Sequence, residues 1–475
     1  MSNAAVEAIV LPDKPVEECG VFGIYGAGLD VAKLTYYGLY ALQHRGQESA
    51  GIAVANGQRV ELQKGMGLVA EVFTGHSLDK LTGHVAIGHV RYSTTGGSQP
   101  LNAQPLVFRY AKGMIGLAHN GNLTNVGELR SQLAYSGSVF QSSTDSEVLV
   151  NLIARYNANS LEEALMKCMI DVKGAYSLLV ITEDSLYAAR DPHGFRPLCL
   201  GRLGQGYVVA SESCALTTVG ATFIRDLEPG EIIRIDGDGL SSTQGLRAKN
   251  PAHCIFEYIY FARPDSTMDG FNVNRVRREM GRQLAREYQV EADIVIPVPD
   301  SGVAAARGYA EEAGIPFEEG LMKNRYIGRT FIQPTQQMRE IGVRLKLNAI
   351  REVLEGKRVV MVDDSIVRGT TSQKLVAMLR EAGAKEVHLC ISSPPVLRSC
   401  YYGIDTSDEQ ELIAAQKPLE EIRKTIQADG LHYLSKDGLL DIFAPKQNCF
   451  CTACFDGSYP VEIPKSKDGG KYILE

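Results

Sequence analysis

Two grammars of apolar spacing divide this chain. From about residue 20 to residue 235, short apolar runs recur with glycine punctuation: Gly20–Tyr25, Gly51–Ala55, Val85–His89, Met114–Ala118, Ala175–Thr182 and Tyr207–Ala210. Runs of this length bounded by turn residues predict strands. Between them, apolar residues at helical spacing predict helices over Val31–Leu42, Val126–Ser136, Asp145–Tyr156 and Leu161–Met169. Antiparallel sheets with helices laid on their faces are the natural way to bury such elements. Leu227–Ile235 predicts a closing hairpin, and the polar, Gly- and Ser-rich Asp236–Asn250 predicts a boundary. After residue 270 strand and helix alternate: helix Val273–Tyr288, strand Asp293–Val298, helix Val303–Ala313, strand Arg358–Val362, helix Thr371–Ala382 and strand Glu386–Ser392. Alternation of this kind predicts a parallel sheet wrapped by helices. Residues 405–440 read as charged helices, and Phe455–Glu475 as a polar end.

Composition narrows the field. A chain of 475 residues accommodates two or three domains, and 44% hydrophobic residues supply their cores. A net charge of −7 argues against a nucleic-acid binder. No apolar run reaches the length of a membrane span. Met1–Glu18 is acidic-leaning and holds no Arg, which fits neither a secretory signal nor a transit peptide, so a cytoplasmic location is expected.

The chemistry of the second half is written after the strand Arg358–Val362. Two carboxylates, Asp363 and Asp364, precede a short loop of Ser365, Arg368, Gly369, Thr370 and Thr371, and a helix pattern follows. Backbone N–H groups, hydroxyls and a helix N-terminus face one point and favour a phosphate there. The acidic pair stands where the two hydroxyls of a ribose would lie. An ordinary βα turn with solvated aspartates is the bland alternative. The order of these residues resembles the 5-phosphoribosyl-1-pyrophosphate (PRPP) fingerprint of type I phosphoribosyltransferases. In that resemblance Ser301 and Gly302, after the strand ending in Val298, form the pyrophosphate loop. Mg²⁺ is implied at Ser301, Asp363 and Asp364, because a hard cation suits oxygen ligands. The basic, aromatic segment Met322–Arg339 is expected to close over PRPP, with Lys323, Arg325 and Arg329 meeting its charge.

In the first half, Cys19 opens Cys-Gly-Val-Phe-Gly-Ile. Gln43–Ile52, Gly88–Thr94, His119–Asn122 and Ser143–Glu147 follow in order. Singly each has a plain reading: Asn120-Gly121 a turn, Arg91 a surface pair, Asp145 an N-cap. Together they resemble the glutamine amidotransferase domain whose nucleophile is an N-terminal cysteine. With both halves present, the chain resembles the glutamine PRPP amidotransferases from Cys19 to about Pro460. The fold implied is an α+β N-terminal-nucleophile glutaminase domain, an αββα sandwich, followed by an α/β type I phosphoribosyltransferase domain. The divisions implied are a propeptide over 1–18, a glutaminase domain over 19–245, a phosphoribosyltransferase domain with a cysteine segment over 250–460, and a tail over 461–475. Once Met1–Glu18 is removed, the α-amine of Cys19 would serve as base, with a reference pKa near neutrality. By resemblance Asn120 and the Gly121 N–H are oxyanion donors, Arg91 meets the glutamine carboxylate, and Asp145 meets its ammonium. His44, His84, His89 and His119 are read as core or supporting residues, and Arg190–Pro197 as a packing turn.

Ten cysteines are scattered along the chain. The pair Cys451 and Cys454 by itself reads as a redox pair or half a zinc knuckle. One branch of the same family carries a propeptide and a structural [4Fe-4S] cluster, and the chain resembles it at Cys254, Cys400, Cys451 and Cys454. Cys449 stands beside this set as a competing ligand. Cys168, Cys199, Cys214 and Cys390 are read as core. The activity implied is synthesis of 5-phosphoribosylamine from glutamine and PRPP, the first committed step of purine synthesis. The family also implies a homo-oligomer, a tetramer, with feedback by purine nucleotides such as AMP and GMP. The rival readings are a different glutamine amidotransferase and a catalytically inactive nucleotide-sensing regulator.

Overall fold

The computed structural model describes residues 19–92, 97–156, 158–324, 347–404 and 409–463. The expected segments Met1–Glu18 and most of the expected lid, Arg325–Arg339 included, lie outside the described residues.

The first half is a sandwich of two antiparallel sheets. One has seven strands in the order Thr222–Asp226, Cys199–Leu203, Gly206–Ala210, Gly20–Tyr25, Val85–Arg91, Ser49–Ala55 and Val60–Met66. The other has six, in the order Gly239–Gln244, Glu231–Asp236, Leu186–Arg190, Gly174–Ile181, Gly113–Leu123 and Leu106–Tyr110. Val21, Ile87, Leu179, Leu186 and Ile233 interleave between the sheets. Outside the first sheet lie helices Val31–Ala41 and Ser213–Thr218; outside the second lie Val126–Tyr135, Asp145–Tyr156 and Leu161–Asp171. The result is the αββα layering the sequence predicts.

The second half is built on a parallel sheet in the order Ile294–Pro297, Arg358–Asp363, Glu386–Ile391 and Gly430–Tyr433. Helices Val273–Glu287 and Val303–Ala313 cover one face; Thr370–Glu381 and Leu419–Ile426 cover the other. This confirms the expected wrapped parallel sheet.

Two local expectations and one rival reading are corrected. The closing hairpin pairs Glu231–Asp236 with Gly239–Gln244, so it reaches into the passage read as a boundary. That strand is polar because it lies at the sheet edge with most of its side chains in solvent. Gly430–Tyr433, within the stretch read as helical, is a four-residue strand at the edge of the parallel sheet. Four residues show no reliable period. Asn120-Gly121 is not a turn but the interior of an eleven-residue strand, Gly113–Leu123.

Candidate active sites

The register of the first sheet puts Gly20 opposite Val90, which sets Cys19 beside the end of the neighbouring strand. Cys19 is buried, and its Sγ donates to the Tyr92 carbonyl at 3.3 Å. Burial pushes the thiol up to about 11; Arg91 opposes the shift, while Glu48 and Asp145 add to it. At neutral pH such a thiol is protonated, and attack requires a base. Arg45 Nε donates to the Cys19 carbonyl at 3.0 Å and fixes the backbone there.

Arg91 is buried, and its Nη1 donates to Glu48 Oε1 at 2.5 Å. Asp145 opens the helix Asp145–Tyr156, accepts from the Leu123 N–H at 3.1 Å, and lies 3.6 Å from His119 Nδ1. Burial would raise its carboxyl, yet the His119 ring and backbone donors hold it below the usual aspartate value. The two sheets are tied at this end by His89 Nε2 and the His119 carbonyl, 2.9 Å apart. Burial pushes His89 down to about 3, so its ring is neutral.

Asn120 follows His119 on the second sheet. Its Nδ2 is buried and has no hydrogen-bond partner among the described residues. Leaving such a donor unsatisfied costs about 1–3 kcal/mol, which an incoming acceptor would remove. Gly121 has φ +145°, and a Cβ there would sit 2.0 Å from the Ala175 carbonyl oxygen. The backbone at Gly121 admits no side chain.

The second constellation lies at the carboxyl ends of adjacent parallel strands, where Pro297 is opposite Val362. The Val298 N–H donates to the Val362 carbonyl at 2.9 Å, so the 299–302 loop lies beside the 363–369 loop. A Cβ on Gly302 would lie 2.5 Å from the Val362 oxygen, which shows how closely the two loops meet. Asp363 and Asp364 are buried, Asp363 Oδ1 accepts the Asp364 N–H at 2.9 Å, and Ser365 Oγ donates to Asp364 Oδ1 at 2.6 Å. Gly369, with φ +81°, turns the chain into the helix Thr370–Glu381. Lys323 Nζ pairs with Asp300 at 2.6 Å, and Arg368 pairs with Glu411. Buried Arg277 donates to the Tyr258 and Ala262 carbonyls, each at 2.8 Å. Burial pushes it down to about 10, with Asp364 opposing.

Cys254, Cys400, Cys451 and Cys454 line one small enclosed cavity with Phe195, Phe256, Tyr402 and Tyr459. Cys254 and Cys451 are paired across a two-stranded parallel ladder. The Cys454 carbonyl accepts the N–H groups of Leu397 and Arg398 at 2.9 and 3.0 Å. Cys449 does not line the cavity. Burial, then the neighbouring thiols, pushes Cys454 well above the ordinary cysteine value. Among the described residues, no group of three or more His, Cys, Asp or Glu side chains forms a site for a single metal ion.

Sequence reasoning missed the buried ionic bridge between the halves. Arg45 donates to Glu212 at 2.6 Å and to Glu257 at 2.7 and 3.0 Å, and Glu212 also meets His44 at 2.7 Å. Arg45 lies in a quoted motif, but its partners lie 167 and 212 residues away, beyond any spacing rule.

Known proteins carry the same two halves. Residues 89–218 match the family model of a glutamine amidotransferase domain, and residues 272–396 that of a phosphoribosyl transferase domain. The chain is 54% identical over 452 residues to the amidophosphoribosyltransferase of Bacillus subtilis, covering 94% of this chain and 95% of that one. It is 52% identical over 475 residues to the amidophosphoribosyltransferase of Mycobacterium bovis, covering 98% and 90%. A solved structure of the glutamine PRPP amidotransferase from B. subtilis, complexed with ADP and GMP, superposes with a TM-score of 0.90 at 53% identity, over 94% of this chain and 98% of that one.

Proposed function

The chain belongs to the amidophosphoribosyltransferase family, and from that premise we propose how its own residues divide the work. The activity of the family is glutamine-dependent amidotransfer to PRPP in purine biosynthesis. In the first domain the Cys19 thiolate attacks the glutamine side-chain carbonyl, and the thiol proton passes to the free Cys19 α-amine. The amine stands free once Met1–Glu18 has been cleaved. Asn120 Nδ2 and the Gly121 N–H bear the oxyanion. The amine returns its proton to the leaving ammonia, and a thioester forms on Sγ. Water then attacks the thioester, the amine takes its proton, and glutamate leaves. Arg91 pairs with the glutamine carboxylate, exchanging part of its contact with Glu48, and Asp145 pairs with the ammonium.

In the second domain Asp363 and Asp364 hold the ribose hydroxyls. Ser365, Arg368, Gly369, Thr370 and Thr371 hold the 5-phosphate, and Ser301, Gly302 and Lys323 hold the pyrophosphate. Ammonia carries its lone pair to C1 as the C1–O bond to pyrophosphate breaks, with inversion, giving 5-phosphoribosylamine. Bound Mg²⁺ supplies charge neutralisation for the pyrophosphate, and Ser301, Asp363 and Asp364 are the oxygen donors that fit it. Ammonia passes inside the protein, since in water it is mostly ammonium and no nucleophile.

Four thiols around one enclosed cavity fit a [4Fe-4S] cluster held by Cys254, Cys400, Cys451 and Cys454. The group is larger than a single ion, so thiols spread around a cavity suit it. Its role is structural, because neither reaction moves electrons. A homotetramer under feedback by AMP and GMP completes the reading.

The observation that carries the assignment is the convergence of Cys19, Arg91, Asp145 and the unpartnered Asn120 amide at one end of the sandwich. Cys19→Ala should abolish glutamine-dependent pyrophosphate release from PRPP while ammonia-dependent release persists. Loss of both in a folded variant would refute the division. Intact mass of active enzyme should begin at Cys19.

A further inference from the structure

A second cavity, of about 360 Å³, opens on the first domain between the 99–102 turn, the helix Val126–Tyr135 and the 140–143 loop. None of Cys19, Arg91, Asn120, Gly121 and Asp145 lines it. Its volume falls in the small-molecule range. The Arg130 guanidinium lies 4.3 Å over the Phe140 ring, and its Nη2 donates to the Ser142 carbonyl at 2.9 Å. Nη1 is buried and has no hydrogen-bond partner among the described residues. The nearby carboxylate of Glu147 is taken up by the Gln141 and Ser142 N–H groups and the Ser142 hydroxyl, at 2.7–2.8 Å. Arg130 is therefore oriented by a ring and a carbonyl, with one charged donor left over.

The other lining groups are neutral: the amides of Gln99, Asn102 and Gln141 and the hydroxyls of Ser142 and Ser143, with Leu101 at the rim. Arg130 is the one cation among the described lining residues, and the Glu147 carboxylate already acts on it, so a monoanion suits the site. A carboxylate fits its paired N–H geometry, whereas a phosphate dianion calls for more positive charge. The cavity also touches the glutamine anchor through one atom. The Gly97 carbonyl accepts Asn102 Nδ2 at 2.9 Å and Arg91 Nη1 at 3.4 Å. A ligand that draws Asn102 toward itself alters the support of Arg91.

We propose that this cavity binds the carboxylate of a free amino acid, the glutamate released next door, and that its occupancy loosens the hold of Arg91 on glutamine. The proposal rests on the reading of Cys19 as a glutaminase nucleophile, and the test separates the two. A glutamine-like alkylating agent should first modify Cys19 stoichiometrically; failure there counts against the glutaminase reading. The alkylated holoenzyme, its catalytic pocket filled, should still bind one glutamate per chain in calorimetry. Arg130→Gln should weaken that binding by about tenfold or more. Leu101→Glu, which leaves every Arg130 contact in place and puts a carboxylate at the half-exposed rim, should do the same. In kinetics, glutamate should inhibit the wild type in a mixed pattern and both variants only competitively, with glutamate-free turnover changed less than about twofold. No glutamate binding to the alkylated enzyme at tens of millimolar, binding indifferent to both variants, or tighter binding of inorganic phosphate than of glutamate would overturn the proposal.

Discussion

At the scale of single residues, the buried donor of Asn120 separates catalysis from binding. It has no partner among the described residues, and on the proposed assignment its hydrogen bond forms where negative charge develops. Asn120→Ala should lower glutamine-dependent kcat by about 10²–10³-fold with little change in KM, and ammonia-dependent synthesis should persist. Steady-state kinetics with each nitrogen donor decides it. The motif His119–Asn122 points to this amide from sequence. Its lack of a partner does not follow from sequence, because that depends on what the second sheet packs around it. Cys19 shows the same division: its identity is legible, whereas the burial that pushes its thiol up to about 11 is a property of the closed sandwich.

At the scale of elements, two features position the sites. The first is the close contact of the loops after Val298 and Asp363. Gly302→Ala would place a methyl 2.5 Å from the Val362 oxygen and displace the loop proposed to hold pyrophosphate. The KM for PRPP should rise by about tenfold or more, with PRPP-independent glutamine hydrolysis unchanged. The second is the bridge joining Arg45, just after the helix Val31–Ala41, to Glu212 and to Glu257 in the segment Glu257–Phe261. Burial would raise Glu212, but His44 and Arg45 hold it below its ordinary 4.5. A carboxylate lowered by folding binds fewer protons in the folded chain than in the unfolded one across the acid range. Its stabilisation is therefore complete above about pH 4.5 and is lost as pH falls through the folded value. Glu212→Gln leaves Arg45 buried with one partner fewer and should destabilise by about 3–5 kcal/mol at pH 7. The penalty should shrink as pH falls below 4.5, which denaturant unfolding across pH measures.

At the scale of the whole molecule, the cysteine-lined cavity gathers three distant segments. His253–Cys254 follows the glutaminase sandwich, Cys400 lies between the strands Glu386–Ile391 and Gly430–Tyr433 of the parallel sheet, and Cys451 and Cys454 come near the end. Phe195 and Arg196 of the first domain line the same cavity, and Arg196 Nε donates to the Tyr402 carbonyl at 3.1 Å. A cluster here would staple the terminal segment to both domains. Anaerobically purified protein should be brown, with about four irons per chain. Cys400→Ala should lose the colour and both activities through unfolding. Cys390→Ala should keep the iron, since Cys390 is buried in the sheet core and does not line that cavity. A colourless, iron-free protein of full activity would reject the cluster and leave Cys451 and Cys454 to packing.

The sequence by itself determined what is local: the two spacing grammars, the strand–loop–helix around Asp363 and Asp364, and the order of motifs from Cys19 to Asp145. Each rests on neighbours within a few residues, where side-chain period and turn chemistry act. It did not show the edge strands Gly239–Gln244 and Gly430–Tyr433, because the first is mostly polar and the second is too short to show a period, so pairing with a neighbouring strand is what defines them. Only the tertiary structure decided that Arg45 lies between Glu212 and Glu257, that Asn120 keeps a donor unpaired among the described residues, and that four thiols from three segments face one cavity. Those facts depend on contacts between residues hundreds of positions apart, which form only when two sheets and two domains close on one another.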